Sequence, residues 1–100
     1  MDSIEERWYT FELEEFPPDC VGRVVNGHSL QSLDALLAGC ISTFICQDHV
    51  LDAECRALLK DSSRKVSETF GGVSDASRRY FERLHEIARL VLAELGETPD

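Results

Sequence analysis

Apolar residues recur at helical spacing along most of the chain. Leu30, Leu33, Leu37, Cys40 and Phe44 follow a 3-4-3-4 pattern, broadened by Leu36, Ile41 and Ile45, and predict a helix over about 30–47. Leu51, Cys55, Leu58 or Leu59, Val66 and Phe70 form a thinner stripe and predict a second helix over about 53–70. Phe81, Leu84, Ala88, Val91 and Leu95, widened by Tyr80, Ile87 and Leu92, predict a third over about 75–95. Start and stop signals agree. Ser29, Asp52 and Ser74 are N-cap residue types, and Gly71-Gly72, Gly96 and Pro99 stand where helices would end.

The first nineteen residues read less clearly. Ser3-x-x-Glu6 is a capping-box pattern, and Ile4, Trp8 and Phe11 sit at helical spacing. Tyr9, Phe11 and Leu13 alternate, as a strand would. This segment is therefore either a short helix or an extended strand, and Phe16-Pro17-Pro18-Asp19 ends it. Asn26-Gly27 is a turn signal, weakened as hairpin evidence because a helix follows it. The expected architecture is all-α: a three-helix bundle over residues 20–100, with an N-terminal arm, 1–19, folded over it.

Charge is unevenly spread. The net charge is −9, and residues 1–19 carry much of it, with Asp2, Glu5, Glu6, Glu12, Glu14, Glu15 and Asp19 against Arg7 alone. Residues 56–83 are locally basic, through Arg56, Lys60, Arg64, Lys65, Arg78, Arg79 and Arg83. Arg56, Lys60 and Arg64 share one helix face. They read either as a solvated face eased by Asp61 and Glu68 or as a docking strip for the acidic arm. The acidic balance argues against nucleic acid and anionic membrane surfaces as partners. With neither a signal-like N-terminus nor a long apolar run, the expected location is the cytoplasm. There Cys20, Cys40, Cys46 and Cys55 would be thiols.

The 30–47 segment stands out. Charged residues make up 29% of the chain, yet this stretch holds only Asp34. Its other side carries Ala35, Ala38, Gly39, Ser42, Thr43 and Cys46. Two readings stand side by side: a helix covered all round within the monomer, or one whose small-residue face (Ala35, Gly39, Ser42, Thr43) mediates self-association.

Catalytic and metal motifs are incomplete. Cys46-x-x-His49 with Cys55 lacks a fourth zinc ligand and an orienting third group for nucleophilic chemistry. Glu82-x-x-His85 matches the di-iron helix element, but Glu82 falls about 140° from the apolar face at 100° per residue. Asp34 sits near a helix N-terminus, where the dipole favours its charged form; burial would oppose this. We expect no enzyme activity and no cofactor. Two function classes remain. One is a protein-interaction module, in concrete form an immunity- or antitoxin-like inhibitor occluding a basic partner through Trp8, Phe11, Glu12, Glu14, Glu15 and Phe16. The other is a homodimeric helical adaptor or regulatory subunit associating through the 30–47 helix.

Overall fold

A computed structural model describes residues 3–97; Met1, Asp2 and residues 98–100, including the Pro99 stop, lie outside the described residues. The fold is all-α, with four α-helices among the described residues rather than three: α1 (Ile4–Glu12), α2 (Leu30–Cys46), α3 (Ala53–Ser67) and α4 (Asp75–Glu94). The additional helix is the arm. Trp8 and Phe11 lie three residues apart on one helix face, and both are buried, whereas Tyr9 and Leu13 are exposed. Strand alternation would have put Tyr9, Phe11 and Leu13 on one side, so burial of Trp8 with Phe11 selects the helix. Ser3 starts it by accepting the Glu6 amide at 3.1 Å.

The three long helices begin where their caps predict. Ser29, Asp52 and Ser74 each accept a hydrogen bond from the amide three residues on. α2 and α4 supply most of the core. Leu30, Leu33, Leu37, Ile41 and Phe44 meet Phe81, Leu84, Ile87, Ala88, Val91 and Leu92. Leu51, Leu59 and Val66 close it from the α3 side, and Trp8 and Phe11 belong to the same cluster. α1 packs on α4, not on the basic strip of α3. Within that strip Arg64 bonds Asp61 and Glu68, and Arg56 donates to the Leu51 carbonyl at 2.9 Å, while the neighbouring Lys65 bonds Asp61.

Two local readings are corrected. A small hairpin does form, Val24–Val25 (β1) pairing antiparallel with His28–Ser29 (β2) in the register Val24↔Ser29 and Val25↔His28. Asn26 (φ 52°) and Gly27 (φ 79°) occupy the left-handed positions of a two-residue turn. The strands are so short that Ser29 both ends the hairpin and caps α2, which reconciles turn and helix. Gly71-Gly72 does not provide a left-handed cap. α3 ends at Ser67, and these glycines lie in a 3-10 turn, Phe70–Gly72. Gly72 is small because Val25 presses on it; a Cβ there would collide with the Val25 methyls. Asn26 also donates to the Glu68 carbonyl at 2.7 Å, so the hairpin is docked on the end of α3.

Candidate functional site

α2 is covered on one side only. With α1 placed on α4, the face formed by Ala35, Leu36, Gly39, Thr43 and Cys46 is exposed, and Ser42 is half-buried. Thr43 donates to the Gly39 carbonyl at 2.8 Å, which satisfies its hydroxyl within the helix. Across a groove from α2 stands α3. Leu36 and Leu58, each 39% exposed, flank the groove, with Cys40 and Cys55 between them. The exposed positions of α2 are Gln31, Ser32, Ala35, Leu36, Gly39, Thr43 and Cys46, with Gln47 exposed at its C-cap. None is charged, on a protein of net charge −9. Of the candidate self-association residues, Ala35, Gly39 and Thr43 therefore share one open surface, with Ser42 at its margin.

The arm residues divide. Trp8 and Phe11 are core residues, their rings stacked 5.7 Å apart, with Phe11 4.7 Å from Tyr80. Phe16 is half-buried, with its ring edge-on to Tyr80 and Phe81. Glu14 forms a two-pronged ion pair with Arg83 of α4. Glu12 and Glu15 face solvent. The apolar residues this segment presents outward are instead Tyr9 (56% exposed) and Leu13 (89% exposed), one helical turn apart.

A second cluster joins three distant parts of the chain. His49 follows α2 in a loop where both Asp48 (φ 55°) and His49 (φ 65°) are left-handed, a conformation costly for residues with a Cβ. Its amide bonds the Phe44 carbonyl at 2.8 Å, and its ring stacks on Phe44 at 4.5 Å. Nε2 lies 2.7 Å from Glu5 of α1, and Nδ1 lies 2.5 Å from Glu94 of α4. The Glu5 hydrogen bond, reinforced by Glu94, pushes the His49 pKa above its ordinary 6.5, and the same bond holds Glu5 below its ordinary 4.5. Sequence reasoning paired His49 with Cys46. Its real partners lie 44 and 45 residues away, and no local spacing announces them.

The remaining candidates resolve into structural roles. Tyr80 donates to Asp34 at 2.7 Å, and burial raises the Asp34 pKa, outweighing that hydrogen bond, which lowers it. Burial likewise raises the Tyr80 pKa. Glu82 is exposed while His85 packs edge-on against Phe70, so the two do not converge as metal ligands. Among the described residues no group of three His, Cys, Asp or Glu side chains could hold a metal ion. No helix among them is long and apolar enough to cross a membrane. The four cysteines are free thiols, and burial raises the Cys40 pKa.

His85 carries a testable cost. Its Nε2 is buried without a partner, and burial lowers its pKa below 6.5. A buried polar atom without a partner costs about 1–3 kcal/mol. His85→Phe is expected to raise stability by about 1 kcal/mol in urea denaturation at pH 7. It should also remove an acid-side loss, because a group whose folded pKa is depressed stabilises above 6.5 and loses that contribution as pH falls.

Comparison with known protein families, curated proteins and solved structures finds no match, so the functional reading rests on this geometry.

Proposed function

We propose that this protein is a non-enzymatic interaction module that self-associates through the α2–α3 face, acting as a homodimeric adaptor or regulatory subunit. The observation that carries the reading is the uncharged outer face of α2, flanked by exposed Leu36 and Leu58. Two copies of a chain with net charge −9 repel wherever carboxylates meet. The exposed α2 positions on this face carry none. A two-fold axis near Gly39 would set each small-residue ladder against the other and allow close approach of the helices.

Gly39 supplies the experiment, because monomer stability and association should respond oppositely. A Cβ added at Gly39 meets nothing within 4 Å. Gly39→Ala is therefore expected to stabilise the monomer by about 1 kcal/mol. At a helix–helix contact the same methyl obstructs approach and weakens the dimer. Gly39→Arg, carrying a bulky charge, is expected to abolish association while leaving the far-UV circular dichroism unchanged. If association survives Gly39→Arg undiminished, the face is wrong.

A second reading has its own support. Tyr9 and Leu13 project from α1 among exposed Glu6, Glu12 and Glu15, an apolar pair in an acidic setting. This favours a basic partner protein and keeps the inhibitor-like class in view, with Tyr9 and Leu13 rather than Trp8 and Phe11 as anchors in the docked state.

A further inference from the structure

The contacts of His49 have a requirement that its position alone does not reveal. Both ring nitrogens face carboxylate oxygens, Nε2 toward Glu5 and Nδ1 toward Glu94. An ionised carboxylate only accepts hydrogen bonds. A neutral imidazole carries one N–H, and an imidazolium carries two. Both contacts are therefore hydrogen bonds only when the ring is charged. Once the proton leaves, one of the two carboxylates faces a nitrogen lone pair.

The surroundings favour the cation. Neither α2 nor α4 has a basic residue in its last turn, where the helix dipole attracts positive charge. Glu94 is itself an acid at the C-terminal end of α4, and His49 offsets it. The groups facing the ring are Glu5 from α1, Glu94 from α4 and the uncharged Phe44 from α2; the adjacent Asp48 is exposed. Among the described residues neither Glu5 nor Glu94 pairs with a lysine or arginine, and α3 supplies no ion-pair partner here. The left-handed backbone at Asp48 and His49 and the ring stack on Phe44 hold the imidazole between its two acceptors.

We propose that His49 is a pH-operated clasp that fastens α1 to the bundle, closed when the imidazole is protonated and loosened when the proton leaves. The remaining ties of α1 include the packing of Ile4, Trp8 and Phe11 against the core and the ion pair of Arg7 with Glu86, backed by Glu14 with Arg83 just beyond the helix. Loosening the clasp lowers the cost of uncovering Trp8 and Phe11, the rings the sequence marks as partner anchors. The arm surface is then conditional: folded away in the closed state and offered in the open one.

The pH window follows from the two directions of shift. His49 holds its proton more tightly when docked, so its contribution is complete below 6.5 and is lost as pH rises through the raised docked value. Glu5 acts on the acid side; its contribution is present above 4.5 and is lost as pH falls through the lowered docked value. The clasp is tightest between these limits and opens toward alkaline pH. His85 has the opposite dependence, losing its contribution on acidification.

Trp8 is the only tryptophan, so its emission reports α1 docking directly. The test records Trp8 fluorescence and α1 amide exchange, corrected for the intrinsic pH dependence of exchange, on the full chain from about pH 5.5 to 8.5, a range spanning ordinary histidine titration. Emission is expected to move to the red and α1 protection to fall, with a midpoint above 6.5, while α2 to α4 stay protected. Each unit by which docking raises the His49 pKa appears as about a tenfold loss in the docking constant. His49→Gln should flatten the profile, and Glu94→Gln should move the midpoint down. His85→Phe should leave the transition in place. A wild-type profile flat across this range, or the same transition in His49→Gln, overturns the clasp.

Discussion

Phe81→Ala is expected to lower the free energy of unfolding by about 3–5 kcal/mol, the usual cost of emptying a phenylalanine site in a packed core. Phe81 is fully buried in α4, where its ring meets Tyr80 and Phe16 edge-on. The site has little room to collapse, because neighbours from the arm segment and α4 are fixed by their own packing. A domain of this size holds about 5–15 kcal/mol in total. The variant should therefore show a much lower urea midpoint, with all helical signal lost in one transition. A change below about 1 kcal/mol would mean that Phe81 is not packed as described.

Trp8→Ala removes a side chain of similar weight with a different expected outcome. The local loss is again about 3–5 kcal/mol, yet α1 packs chiefly on α4 and lies at the chain's edge. Undocking α1 costs less than unfolding the bundle, so the damage should stop there. Amide protection of α1 should vanish while α2, α3 and α4 remain protected and cooperative. Loss of protection throughout the chain would mean that α1 is integral to the fold, and it would remove the physical basis for a conditional arm.

The contrast between these variants reflects which parts of the fold were legible in the sequence. α2, α3 and α4 were legible because each combines a capping side chain with a long apolar period, both local signals. Ser29, Asp52 and Ser74 all make the bonds their residue types suggest. α1 was ambiguous because aromatic residues suit either structure, and only the distant surface of α4 decides that Trp8 and Phe11 share a side. The Asn26-Gly27 hairpin was underrated because two-residue strands leave no alternating pattern to count. Gly72 was assigned to a cap when its smallness answers to Val25, 47 positions earlier in the chain. The open face of α2 was half legible. Its lack of charge could be read directly, but whether it was covered depended on where the arm lay. The His49 bridge was illegible, since its acceptors come from opposite ends of the chain.

These features place the unusual chemistry of the molecule at its surfaces and joints. The arm carries acid outward together with Tyr9 and Leu13, and turns Trp8 and Phe11 inward. α2 carries its apolar face inward and a neutral face outward. Only the second of these surfaces is open without a conformational change and free of like-charge repulsion between copies.

The most direct test of that claim is sedimentation equilibrium of the wild-type chain and Gly39→Arg, at micromolar concentrations and moderate salt. A dimer is expected for the wild type and a helical monomer for the variant. A wild-type chain that remains monomeric across the concentration range would contradict it, and the α2–α3 face would then have no role in self-association.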